Sequence, residues 1–336
     1  MTHRSLQTDD RAMTLTGRRC AATLRASPAG IVLTLQDAQS GRAPIRDCLW
    51  QLYPGRPLDL GGVNIQQGHA ARDALAMAGE APRPDRVGMS RFEEDDTRGA
   101  RIALAYGDIT VALYVWADET EPVLRARAQV TNRGPRAALI HSLVNRLDGL
   151  RLGQDWNDEW IFPATYSSNV LTHGRVDSLR PAGIACGFMP IGLYLPYVML
   201  YDPRGAEGVL FDAWLDTRYA LAVNPDRAAE QVTLAALTRI ERALLPGETH
   251  AWGEFSLRAF TGHYHPAMQH YRQTLADARG LRVPADVPAS TPDLIFANLS
   301  FNFDDCWGSF TDRSVEQYLR EVRDLGANCL YVNGQW

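Results

Sequence analysis

From residue 12 to about residue 260, short runs of alternating apolar and polar residues are separated by turn residues. Alternation of this kind puts every second side chain on one face of a strand. Residues 30–38 (GIVLTLQDA) and 46–53 (RDCLWQLY) both read as half-buried strands. Residues 101–106 and 108–116 flank Gly107 and predict a hairpin. In 122–132, Val123, Arg125, Arg127 and Gln129 fall on one face and Leu124, Ala126, Ala128 and Val130 on the other. Turn residues at 132–135 end that run, and 138–152, 196–201 and 208–214 continue the pattern. Residues 231–245 and 250–259 form a last pair joined by Pro246, Gly247 and Glu248. Residues 66–92, rich in Ala, Gly and Arg, have weak periodicity and predict a loop with one helical turn. The fold class expected is mainly β, as a large antiparallel sandwich.

The period changes after Phe260. In 265–278 (HPAMQHYRQTLADA), Met268, Tyr271, Leu275 and Ala278 share one face of a helix, Pro266 suits its first turn, and Gly280 stops it. Pro284, Pro288 and Pro292 mark a linker. Residues 293–301 (DLIFANLSF) then read as a buried strand, and 302–310 as a loop. Residues 312–325 read as an amphipathic helix with Val315, Tyr318, Leu319, Val322 and Leu325 on one face. Thr311 or Asp312 can cap its start, Gly326 can end it, and 328–332 (NCLYV) is a second strand. Strand, helix and strand in this order predict parallel strands with a right-handed crossover. A (β/α)8 barrel takes ~250 residues, whereas only 291–336 remain here. The sequence is therefore expected to stop inside a barrel, as the N-terminal part of a longer protein. The alternative is a complete protein whose last strand joins the sandwich. The expected division is 1–260 for the sandwich, 261–292 for a helical linker and 293–336 for an incomplete barrel start.

Composition narrows the chemistry. All 34 basic residues of the 336 are arginine. Without lysine the chain cannot by itself build a P-loop, a Schiff-base site or a protein-kinase fold; codon bias in a GC-rich genome accounts for the absence. A formal charge of -5 gives no basic footprint, so nucleic acid is not an expected partner. The first twenty residues lack the apolar core of a signal peptide, and the longest apolar stretch, 184–200, is broken by Gly187, Pro190, Gly192 and Pro196. Neither a membrane association nor a cofactor is expected, and the expected setting is cytoplasmic. Cys20, Cys48, Cys186, Cys306 and Cys329 are scattered without CxxC spacing and read as small core residues. His263, His265 and His270 lack the HExxH pattern of a zinc protease, so no metal site is expected and packing at the linker is the reading.

The order of elements resembles the glycoside hydrolase clans that include the α-galactosidases and α-glucosidases. In those, a galactose-mutarotase-like β-supersandwich precedes a catalytic (β/α)8 barrel. Three stretches carry the likeness: 122–133 leading into 144–152, 261–272 (TGHYHPAMQHYR), and 294–336. The second is similar to the linker helix of an uncharacterised hydrolase-like bacterial family, with Tyr264 where that family has Trp. One departure stands out. The second barrel strand commonly ends in an Asp-Asp-Gly-Trp-like run that contacts sugar hydroxyls. Here 333–336 is NGQW, so Trp336 matches while amides replace the aspartates. The resemblance implies nucleophile and acid/base carboxylates on later strands, so no residue of this chain is expected to be catalytic.

Two regions are candidates for holding carbohydrate. Asp304, Asp305 and Trp307 lie after the first barrel strand, at the end where barrel active sites form. Carboxylates there can bind hydroxyls while an indole covers the apolar face of a sugar. The second region is 155–166 (DWNDEWIFPATY), where Asp155, Asp158 and Glu159 alternate with Trp156, Trp160, Phe162 and Tyr166. It is read as a loop leaning over a barrel mouth, or as aromatics plugging a domain interface. The substrate-binding residues expected are Asp304, Asp305, Trp307, Trp336, Asp155, Trp156 and Trp160. Two rival functions are a non-catalytic carbohydrate-binding sandwich and an aldose-epimerase-like enzyme, the latter requiring His141 and Glu159 to meet.

Overall fold

A computed structural model describes residues 7–9, 12–58, 63–64, 69–70, 79–95, 97–153, 155–156, 159–163, 174–175, 184–188, 197–215, 219–278, 296–298, 316, 319–320, 323–324 and 329–331. The chain divides into two compact units, Met1–His270 and Tyr271–Trp336.

Among the described residues, the first unit holds two nine-stranded antiparallel sheets. The first sheet runs, in spatial order, Gln7–Asp9, Ala12–Thr16, Cys20–Ser27, Gly30–Asp37, Ile45–Gly55, Ala138–Leu150, Gln231–Leu244, Tyr219–Asp226 and Ile184–Phe188. The second runs Gly174–Arg175, Trp160–Pro163, Tyr197–Asp202, Glu207–Trp214, Thr249–Thr261, Val123–Asn132, Ile109–Ala117, Thr97–Tyr106 and Arg86–Glu94. The expected hairpin forms between Thr97–Tyr106 and Ile109–Ala117. Tyr106 pairs with Ile109, leaving Gly107 and Asp108 as a two-residue loop with φ 57° at Gly107. Glycine in the first loop position suits the II′ turn, whose twist matches the strands.

The inner faces of the two sheets meet in one core. Leu24, Leu33 and Trp50 from the first sheet and Ile102, Leu113 and Phe211 from the second are at most 2% exposed. Each such side chain contributes about 1.5–3 kcal/mol when fully buried. In Val123–Asn132 the face predicted to be apolar, Leu124 through Val130, enters this core. The buried Trp50 indole keeps a polar partner by donating Nε1–H to Asn145 Oδ1 at 2.7 Å.

The first sheet is buried on both faces at its centre. A second cluster of Tyr53, Leu58, Val144, Ala220, Ala222, Ala235 and Leu237 covers the side away from the main core. This explains the unbroken apolar run that opens Tyr219–Asp226, since strands buried on both faces lose alternation. One sequence expectation is corrected. Part of the segment read as a loop, 66–92, belongs to the strand Arg86–Glu94. It is an edge strand with no fully buried position, so nothing imposed a period on its sequence.

Thr249–Thr261 leads into a helix, Tyr264–Ala278, close to the bounds its spacing predicts. In the second unit, Phe296–Asn298 and Cys329–Tyr331 pair in parallel, with Phe296 opposite Cys329. Residues 316, 319–320 and 323–324 between them are helical. Leu319, placed on the apolar face by its spacing, is 43% exposed. No helix among the described residues is long and apolar enough to cross a membrane.

Candidate functional site

The loop that follows Ala138–Leu150 is anchored by two apolar side chains. Leu152 is fully buried and Trp156 is 4% exposed, and both belong to the main core. Asp155, between them, is exposed. Trp160 opens the strand Trp160–Pro163, whose backbone pairs with Tyr201 on one side and Arg175 on the other. The loop and the strand after it thus keep three expected residues close in the chain, with Trp156 turned inward. Asp304, Asp305, Trp307 and Trp336, like Asp158 and Tyr166, lie outside the described residues.

Beneath this loop lies a group of acids. Trp160 pairs with Tyr201, so the residue before Trp160 comes beside Asp202. That residue is Glu159, which is fully buried. Asp202 and Glu207 are 4% and 5% exposed and pair across the turn that joins their strands. The backbone wraps tightly around Asp202. It accepts the Arg204 N–H at 2.9 Å, and a Cβ at Gly153 would sit 2.2 Å from its Oδ2. With φ +56° as well, only glycine suits position 153.

Neither carboxyl oxygen of Glu159 has a hydrogen-bond partner among the described residues. Burial raises its pKa from 4.5 to about 8, and the charges of Asp202 and Glu207 push the same way. The Leu152 N–H and Arg151 pull downward without closing such a bond. Glu159 is thus a protonated acid at neutral pH, a form stabilised by desolvation. Nearby, Glu207 Oε1 lies 3.9 Å from Arg46 Nη2.

The face of the second sheet turned away from the main core carries a polar row that sequence reading missed. Ser256 lies between Asp212 and Arg125 in register, and its Oγ donates to Asp212 Oδ1 at 2.7 Å. Burial raises the Asp212 carboxyl to about 6, against the opposing pull of Ser256, Arg125 and Arg258. Arg125 Nε donates to Asp118 Oδ2 at 2.7 Å. A lone aspartate inside the apolar run VLFDAW was the available signal.

The pairing needed by an aldose epimerase built on His141 and Glu159 does not form. His141 Nδ1 is 3.1 Å from Glu241 Oε2 on the surface, near the start of Ala138–Leu150, whereas Glu159 lies past that strand's other end. All three linker histidines are exposed; His263 and His265 contact the Tyr264 ring, whereas His270 Nδ1 lies 3.7 Å from Glu121 Oε1. His263 stacks on Tyr264 with ring centroids 4.4 Å apart and lies 6.2 Å from Tyr201. Among the described residues no three His, Cys, Asp or Glu side chains are grouped to hold a metal ion. Cys20 and Cys48 are buried core thiols.

No family model and no curated protein sequence matches the chain. Solved structures do match. The GH36 α-galactosidase AgaB of Geobacillus stearothermophilus aligns with TM-score 0.52 at 12% identity, covering 99% of this chain and 50% of that one. The α-N-acetylgalactosaminidase of Bifidobacterium bifidum, solved with GalNAc, aligns with TM-score 0.51 at 15% identity, over 95% and 51%. A galactose mutarotase-like protein of Clostridium acetobutylicum aligns with TM-score 0.50 at 9% identity, covering 77% of this chain and 98% of that one. The chain therefore spans about half the length of the two glycosidase structures and shares the galactose-mutarotase-like supersandwich fold.

Proposed function

We propose that this chain is the N-terminal portion of a carbohydrate-active enzyme, a glycoside hydrolase whose catalytic carboxylates lie on barrel strands beyond Trp336. The observation that carries this reading is the order of elements: a supersandwich, a helix at Tyr264–Ala278, and a parallel strand pair with helical residues between. The match to glycosidases over nearly the whole chain, but only half of theirs, supports it. In this reading 1–260 is the sandwich, 261–292 the linker and 293–336 the first barrel elements.

The sandwich then serves the barrel's active site without performing the chemistry. Asp155 offers a carboxylate to sugar hydroxyls, and the inward-turned Trp156 fixes the loop that presents it. Trp160 on the adjoining strand and, in the barrel segment, Asp304, Asp305, Trp307 and Trp336 are the other proposed substrate contacts. Hydrolysis itself needs two carboxylates, ~5 Å apart for retention and further apart for inversion.

The reading frame downstream of the Trp336 codon tests this. It should continue through further strand–helix repeats with Asp or Glu at the C-terminal ends of later strands. A stop codon directly after Trp336 in the native gene would sink the proposal. A second reading, catalysis on free sugar by the sandwich alone, draws on the near-complete coverage of the mutarotase-like protein. It would need a catalytic pair other than His141 with Glu159.

A further inference from the structure

The strand Arg86–Glu94 ends the second sheet, and among the described residues no strand pairs with its outer edge. Its register against Thr97–Tyr106 runs unbroken from Arg86 opposite Ala105 to Glu94 opposite Thr97. Opposed residues of an antiparallel pair alternate between hydrogen-bonded and non-bonded. Counted back from the closing pair Glu94–Thr97, the bonded residues are Phe92, Ser90, Gly88 and Arg86. The backbone groups of Val87, Met89, Arg91 and Glu93 therefore point to the open edge. Natural sheets block such an edge with proline, a bulge or charge. Residues 86–94 hold no proline and no bulge, and their charges are of both signs: Arg86, Arg91, Glu93 and Glu94.

Gly88 points independently to a neighbour. A Cβ at position 88 would meet nothing within 4 Å, and the φ of Gly88 is not positive. Within one chain neither space nor backbone calls for glycine here, although glycine weakens a strand. A strand glycine of this kind marks close approach by another backbone or a ligand. Phe92 lies on the same face, edge-on to Tyr114 at 5.4 Å and to Trp116 at 6.4 Å. Its ring already lies across one glycine of its own sheet, since a Cβ at Gly99 would fall 2.6 Å from it.

Antiparallel pairing with a second copy, about a two-fold axis through Ser90, satisfies both observations. Arg86 then falls opposite Glu94 of the other copy and Gly88 opposite its Phe92, each contact occurring twice. Arg86 is exposed, and the Glu94 side chain, which pairs with Arg127, is 54% exposed. On the core side Val87 falls opposite Glu93 and Met89 opposite Arg91, so no like charges meet within the strand. A slip of two residues loses the match: one direction sets Glu93 against Asp85, the other Arg91 against Arg91. At the ends of the matched register Asp85 Oδ2 accepts the Gly107 N–H at 2.6 Å, and Asp95 sits in the hairpin turn with φ 50°.

We infer that two copies of this chain join edge to edge through Arg86–Glu94, forming one continuous sheet across the dimer. Opposite charges facing each other across the seam set its register. The inference does not depend on the glycosidase reading, whose test measures substrate turnover rather than association.

Sedimentation equilibrium of the 336-residue chain, at up to about 100 µM, should show a monomer–dimer equilibrium. Arg86→Glu sets two acids against each other at both ends of the seam, and Glu94→Arg sets two bases. Each should weaken association at least about tenfold. An equimolar mixture of the two variants has opposite charges at both ends again and should form a mixed dimer. Gly88→Leu fills the space that Phe92 of the other copy needs, so it should weaken association while its own chain, which has room there, stays folded. Circular dichroism establishes that each variant is folded. A monomer at every concentration, association that the single substitutions leave unchanged, or a mixture that associates no better than either variant alone would overturn the assignment.

Discussion

Replacing Glu159 by glutamine removes the ionisation of a buried acid while keeping its size. The folded-state pKa is raised from 4.5 to about 8. A carboxyl with a raised pKa binds more protons in the folded state, so it destabilises the fold as pH rises. Its full stabilising effect is present below about pH 4.5, is lost progressively through pH 8, and changes no further above that. Between those two values each step of one in pH costs about 1.36 kcal/mol. The loss is therefore about 3 kcal/mol by pH 7 and approaches about 5 kcal/mol above pH 8. Glu159→Gln carries no such dependence. Urea denaturation followed by tryptophan fluorescence at pH 5, 7 and 8.5 should show the variant gaining on the parent as pH rises. Thermal midpoints should diverge in the same direction, by roughly 2 °C for each kcal/mol. Parallel pH profiles for the two proteins would refute the buried-acid account and imply that Glu159 is ionised and compensated.

Three further outcomes follow from the packing. Asn145→Ala leaves the buried Trp50 indole N–H without its 2.7 Å acceptor and should cost about 1–3 kcal/mol in urea unfolding; an unchanged midpoint would contradict the pairing. Gly99→Ala puts a Cβ 2.0 Å from the Val115 carbonyl oxygen and 2.6 Å from the Phe92 ring. It should destabilise by at least about 2 kcal/mol through overpacking, read as a lowered melting temperature. Burial pushes the Cys20 thiol to about 11 and Cys48 to about 12. Iodoacetamide at pH 8 should therefore modify neither in the folded protein and both in guanidinium chloride, as mass spectrometry of peptides would show.

Legibility followed exposure. Val123–Asn132 was readable because one face is wet and the other dry, so its sequence alternates. The helix at Tyr264–Ala278 was readable from its spacing and its proline, which needs no tertiary context. Tyr219–Asp226 was missed because its first six positions are all buried and carry no period. Arg86–Glu94 was missed for the opposite reason, since an exposed edge leaves every position free to vary. The loop at Asp155 stands out in the sequence by its density of acids and aromatics. What its sequence did not reveal was that Trp156 faces inward and that Glu159 is buried. Both depend on strand partners distant in sequence, above all the pairing of Trp160 with Tyr201.

Release of p-nitrophenol from α-galactoside, α-glucoside and α-N-acetylgalactosaminide substrates tests the glycosidase reading most directly. It should be measured for the 336-residue chain and for the full reading frame that contains it. The 336-residue chain should release nothing above the buffer rate. The longer protein should hydrolyse at least one substrate and lose that activity when a carboxylate at the end of a later barrel strand is replaced by its amide. Hydrolysis by the 336-residue chain alone, or a longer protein inert toward every glycoside tested, would contradict the account.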